Sequence, residues 1–123
     1  MKEELILKFI TLQQQFRLLH WQTKSHAQHI AYGDTYNSLE DLIDTFIEIY
    51  MGKYGRVEFT NGEGNITLFN LSNLDLNTFI KDNIKWVKSL GEKLNQTNDT
   101  DLLNVKDEIM ASLNKLRYLL TLK

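Results

Sequence analysis

Four stretches of this chain place their apolar residues at the helical period, and together they cover most of its length. In the first, Leu5, Phe9, Leu12, Phe16 and Leu19 recur at i, i+4, i+7, i+11 and i+14, which lines one face of a helix over residues 2–22. Ile6, Gln13 and His20 lie at the edge of that face. A turn at "TKS" follows, where Ser25 and Gln28 form a capping box. The second helix is expected over about 26–53, with Ile30, Tyr32, Tyr36, Leu39, Ile43, Phe46, Ile47 and Tyr50 as its apolar positions. The third begins at a cap on Ser72 or Asn73 and runs to about Asn95, with a stripe of Leu76, Phe79, Ile80, Ile84, Val87, Leu90 and Leu94. The fourth runs over about 101–122 and turns Leu102, Val105, Ile109, Leu113, Leu116 and Leu120 inwards. There is no proline to interrupt any of them. Four such stripes bury one another most simply as a four-helix bundle.

Residues 54–73 break the pattern. "RVEFT" and "ITLFN" are β-prone runs on either side of "NGEGN". They predict a small hairpin that pairs Val57–Thr60 with Ile66–Phe69. The reading is an all-α four-helix bundle with a small β-hairpin insert between helices two and three. Its 123 residues form a single domain over 1–123, enough to bury roughly two-thirds of the unfolded surface without staples.

Composition removes several classes of function. The absence of cysteine excludes disulfides, thiolate catalysis and Cys-based zinc sites, and is compatible with a reducing cytosol. "MKEELILKFITLQQQF" lacks the apolar core and cleavage site of a signal peptide. No run approaches the roughly 18 apolar residues of a membrane span. The net charge is −2 and the densest basic stretch, "KWVKSLGEK", reads as a solvated helix face, which argues against nucleic acid as a partner. "NGEGN" lacks the Lys-Ser/Thr of a phosphate loop, and no serine sits in a nucleophile elbow.

The residues with chemistry gather between Leu19 and Glu48. All three histidines lie there: His20 at the end of helix one, His26 and His29 at the start of helix two. Asp44 and Glu48 are i and i+4, so both carboxylates project the same way. The same face leads back through Glu40 or Asp41, Asn37 and Gly33 to His29. Imidazole and carboxylate ligands in such an array suit iron, manganese or zinc; a solvated acidic stripe with a core-edge histidine is the plainer alternative. His26 falls in the first turn after the Ser25 cap, where the helix dipole opposes a cation. Asp107 on helix four either faces inward, pairs with Lys106 or Arg117, or is simply solvated. No Glu is followed three residues later by a His, so the di-iron motif of a single ferritin-type bundle is absent.

"LLHWQTKS" followed by "LIDTFIE" resembles the ferritin-like Dps family. It is similar above all to a set of short Dps-like proteins of tailed bacteriophages, over Leu19–Arg56 and Leu102–Leu122. The resemblance implies a ferritin-like bundle that assembles into a homo-oligomer. It also implies an iron or other divalent-metal site shared between subunits. The matched ligands are His20 from helix one with Asp44 and Glu48 from helix two. A further His and Asp of the family pattern fall at Gly33 and Asn37, and His29, one turn before Gly33, is the substitute. The basic tail with which many Dps proteins hold DNA has no counterpart. The expected function is therefore a Dps-like protein with a remodelled site at His20, His29, Asp44 and Glu48, in the host cytoplasm if phage-encoded. The alternative is a non-catalytic oligomer without metal that binds a host protein or small ligand, with Trp21, Tyr32, Tyr36 and Tyr50 lining its pocket. A virion or assembly component is a third reading. The sequence leaves open whether the protein is an enzyme.

Overall fold

A computed structural model describes residues 2–122 and contains four long helices. They are α1 (Lys2–Gln22), α2 (His26–Tyr54), α3 (Leu76–Glu92) and α4 (Thr100–Leu119). A short 3-10 turn, Leu71–Asn73, precedes α3. The side-chain contacts fix their directions. Phe9 meets Trp86 and Phe16 meets Phe79, so α3 runs antiparallel to α1. Ser38 bonds Ser112, and Lys53 reaches Asp101, so α4 runs antiparallel to α2. The order is up, down, down, up, and residues 55–75 carry the chain back along the length of the bundle between α2 and α3.

The expected stripes form the core. Leu5, Phe9, Leu12, Phe16 and Leu19 of α1 are buried, as are Leu39, Ile43, Phe46 and Tyr50 of α2. Ile80, Val87, Leu90 and Leu94 meet them, with Leu102, Val105, Ile109, Leu113 and Leu116 of α4. Two aromatic groups tie α1 to both neighbours. The ring of Phe9 lies 5.4 Å from that of Phe46 and 5.0 Å from that of Trp86, edge to face. The Phe16 ring stands 5.6 Å from Phe79 and stacks at 6.5 Å on Tyr32. Ile30 departs from its expected place and is exposed on α2, because Ala31 and Tyr32 take the inward positions of that turn. α3 begins later than the Ser72 or Asn73 cap predicts. Asp75 caps it instead, accepting from the Thr78 N–H at 3.1 Å.

The β-hairpin is not formed: no strand occurs among the described residues. Val57 packs onto the core, and Gly62, at φ 80°, closes a turn by donating to the Phe59 carbonyl at 2.9 Å. The chain then runs up α1 as a strap. The Thr60 N–H donates to the Glu3 carboxylate. Gln15, fully buried on α1, treats Phe69 as a strand would: its Oε1 accepts from the Phe69 N–H at 2.9 Å and its Nε2 donates to the Phe69 carbonyl at 2.8 Å. Gln22 accepts from the Leu71 N–H at 2.8 Å. The second β-prone run thus finds a side-chain amide on a helix in place of the first run.

A charged network closes the opposite end. Asp99, 2% exposed, accepts from the Tyr54 hydroxyl at 2.5 Å and the Asn95 N–H at 2.9 Å, and pairs with Lys53 at 3.1 Å. These bonds, the Tyr54 bond first, hold the Asp99 carboxyl below the usual aspartate range. Stability from a carboxylate with a lowered folded pKa is present above its unfolded value and is lost as pH falls through the folded one. Urea titrations between neutral pH and pH ~3 are expected to show that loss, with a shallower fall in Asp99→Asn. Gln15→Leu is expected to destabilise the protein by about 1–3 kcal/mol, since it orphans both polar groups of Phe69. Proteolysis should then cut residues 55–70 first, while the helical circular dichroism is retained.

Candidate functional site

Only Thr23, Lys24 and Ser25 separate α1 from α2, so the last turn of one helix faces the first turn of the other. The Ser25 hydroxyl caps α2 by accepting from the Gln28 N–H at 3.3 Å. His20 and His29 meet across this corner and exchange hydrogen bonds. His20 Nδ1 lies 2.7 Å from the His29 carbonyl oxygen, and His29 Nδ1 lies 2.9 Å from the His20 carbonyl oxygen. A carbonyl only accepts, so each Nδ1 carries the proton. The two rings stack at 3.8 Å between centroids, 17° from parallel. The His20 carbonyl belongs to the last turn of α1, which is short of internal donors. His29 therefore helps to close α1 from outside.

Gly33 explains how the His20 ring fits. A Cβ built there would lie 2.9 Å from His20 Cε1 and 3.1 Å from its Nδ1. Any larger residue at position 33 displaces the imidazole from α2. The position where the resemblance to Dps leads one to expect a histidine is thus occupied in space by the His20 ring. Asn37, the other departure, is exposed on α2.

Asp44 and Glu48 lie elsewhere. Both are exposed, and Asp44 follows His29 by about 22 Å of helix at ~1.5 Å per residue. The structure therefore brings His20 and His29 together and leaves Asp44 and Glu48 apart from them. Among the described residues, no group of three or more His, Asp or Glu side chains converges as a metal site. Of the alternatives for Asp107, the structure takes the pair with Lys106. Asp107 is exposed and pairs with Lys106 at 2.6 Å, and His26 is exposed.

The aromatic residues do not share a pocket. Tyr32 and Tyr50 are core residues, and burial pushes the Tyr32 phenol up to about 12. Its hydroxyl is buried without a hydrogen-bond partner among the described residues. Trp21 is exposed and stacks on Arg17, whose guanidinium carbon is 5.0 Å from the Trp21 ring and 4.8 Å from that of Tyr36. Arg17 also donates to the Tyr36 hydroxyl at 2.6 Å. This Trp21–Arg17–Tyr36 stack was not legible as a unit, because its members are split between two helices. The i, i+4 spacing of Arg17 and Trp21 is the one signal the sequence offers.

Gly33→Ala tests the corner. Replacing glycine in a helix gains about 1 kcal/mol of propensity, while overpacking costs about 1–3 kcal/mol and the exchanged hydrogen bonds are lost in addition. The expected net effect is a lower urea midpoint, with His20 and His29 imidazole resonances that no longer show a shared ring-current shift.

Comparison with known proteins places the chain among bacteriophage sequences. The chain is 41% identical over 54 residues to an uncharacterised 14.6 kDa protein from the mobD-ri intergenic region of Enterobacteria phage T4. The match spans 44% of this chain and 42% of that protein. No solved structure matches. No helix among the described residues is long and apolar enough to cross a membrane. The match to the Family of unknown function (DUF5856) extends over residues 20–120, from the paired histidines to the end of α4, and the chain belongs to that family.

Proposed function

We propose that this is a Dps-like bacteriophage protein that associates with copies of itself and holds a divalent metal, iron foremost, between them. The ligands would be His20 of one copy with Asp44 and Glu48 of another, and His29 would hold His20 in place. The observation that carries this reading is the His20–His29 exchange. With its Nδ1 proton given to a backbone carbonyl, neutral His20 keeps its lone pair on Nε2. That arrangement orients a metal-ligating histidine and fixes its tautomer. Asp44 and Glu48 are exposed and form no ion pair among the described residues. Up-down-down-up order with one long crossover is also the connectivity of ferritin-like bundles. Iron held there supplies electron transfer to oxygen or peroxide; the chain's own part is to supply a fixed imidazole nitrogen and two carboxylates.

A second reading rests on Gly33 and Asn37. With no ligand at either position and the His20 ring packed against Gly33, the corner is complete as a structural fastening. The bundle would then be an oligomer without metal that holds a host protein or small ligand, or a component of the virion.

The separating experiment adds Fe(II) aerobically to metal-stripped protein and follows oxidation by absorbance, with bound metal measured by equilibrium dialysis. On the metal reading, oxidation outpaces buffer. The double variant Asp44→Asn/Glu48→Gln then loses it and binds metal at least tenfold more weakly, with its oligomeric state unchanged. Oxidation no faster than buffer together with no retained metal decides for the second reading.

A further inference from the structure

α2 and α4 leave an open groove of about 500 Å³ along their outer contact. Small side chains make it possible: Ser38 of α2 meets Ser112 of α4, hydroxyl to hydroxyl at 3.2 Å. The helices are antiparallel, so residues displaced from that contact in opposite directions come level. Asp41 of α2 therefore stands opposite Glu108 of α4 at one end of the groove, and Asp34 opposite Lys115 at the other. All four are exposed, and none forms an ion pair among the described residues. Lys106 adds no charge to the groove, because it lies over Gly91 of α3 and is held by Asp107 at 2.6 Å. Three carboxylates and one ammonium line the groove, so its net charge is −2.

Thr35 is the independent sign of a ligand. It lines the groove, is only 3% exposed, and makes no side-chain hydrogen bond among the described residues. A threonine within a helix commonly returns its hydroxyl to the carbonyl one turn back, as Thr11 does to Leu7 at 2.6 Å. Thr35 does not. Nor is its hydroxyl sealed in the core: the enclosed side-chain polar atom without a partner among the described residues is that of Tyr32. The small part of Thr35 that solvent touches is thus its Oγ1, which opens into the groove. A hydroxyl accepts as well as donates, so it can take an N–H from a cation lying between the two aspartates.

The shape of the charge decides what kind of cation fits. No three carboxylates converge as a metal site among the described residues, and Asp34 and Asp41 are separated by about 10 Å of helix. The charge has to be met at separate points by one extended molecule. Between those points the wall is apolar, with Leu42 and Ala111, which suits methylene groups. We propose that the α2–α4 groove binds a linear aliphatic polyamine. One ammonium lies between Asp41 and Glu108 and another on Asp34, with the methylene chain along Leu42 and Ala111 and an ammonium N–H given to Thr35. The unpaired Lys115 weakens the Asp34 end, so the Asp41–Glu108 end is the stronger anchor. A cleft lined by one sign of charge also concentrates such cations before contact. The inference requires neither self-association nor a metal at His20.

Titration calorimetry of the whole chain with spermidine, at ~0.15 M salt so that non-specific attraction is screened, is expected to show one saturable site per chain. Asp41→Asn should weaken binding about tenfold, and Thr35→Val, which keeps the shape and every charge, about threefold. Ala111→Leu keeps every charge and fills the groove, and should abolish binding. Glu40→Gln removes the same charge from α2 outside the groove and should change affinity less than about twofold. Ala111 and Asp41 are exposed, so those variants should keep the wild-type helical circular dichroism and thermal midpoint. Equal weakening by Glu40→Gln and Asp41→Asn, or undiminished binding to Ala111→Leu, overturns the proposal and leaves only general attraction of cations to an acidic helix. A site that prefers Mg²⁺ or a tetralysine peptide to spermidine also overturns it, in favour of a metal or a basic protein segment. So does an absence of saturable binding.

Discussion

The three-residue turn between α1 and α2 constrains everything that follows. A connection so short leaves the two helices antiparallel and in contact, and His20 and His29 fasten the corner by bonding each other's backbone. Once the α1–α2 hairpin is set, its apolar faces define one wall of the core. α4 then packs beside α2 and α3 beside α4, with Phe79 and Trp86 of α3 reaching α1. The second corner is fastened differently. The Asp99 carboxylate gathers Tyr54, Lys53 and the Asn95 N–H, joining the end of α2 to the α3–α4 turn. Both ends of the bundle are therefore closed by polar side chains that bridge elements, while the apolar residues fill the middle.

The helices were legible because the signal for them is redundant. Each stripe repeats over several turns, so a misplaced residue such as Ile30 does not alter the assignment. Trp86 lay outside the stripe read for α3, yet its ring meets Phe9; a large aromatic reaches the core from the flank of a helix, which periodicity alone does not register. The hairpin expectation failed for a different reason. Local strand propensity was read correctly as a departure from helix, but propensity does not identify a partner. In the folded chain the partner of Phe69 is Gln15, distant in sequence and in the middle of a helix. A buried glutamine among apolar residues was the available clue, since a buried amide must be hydrogen-bonded.

The site was legible in part, for a reason of scale. Short-range relations survived: the turn after His20 brought His20 and His29 together. The relation of His20 to Asp44 and Glu48 did not, because helical spacing gives direction but also separation. Residues on one face of α2 are collinear and can still lie several turns apart. Gly33 carried the most information in the end. As a sequence letter it marked a missing ligand. In the structure it is the space that an imidazole fills, so the change at 33 and the orientation of His20 are one feature.

These two departures point the same way. His20 is oriented by His29 with its Nε2 left out of the exchange, and the strap is strand-prone but unpaired among the described residues. The acidic residues of α2 fit the same pattern: Asp34, Glu40, Asp41, Asp44 and Glu48 are exposed, and α2 carries no lysine or arginine before Lys53. A stripe of one sign gains nothing for a monomer, since like charges one turn apart destabilise a helix. Fields of that kind orient an approaching partner or cation before contact. A fixed imidazole at one corner, an acidic face on α2 and unbonded backbone on the strap are the features that the proposed association of copies would draw on.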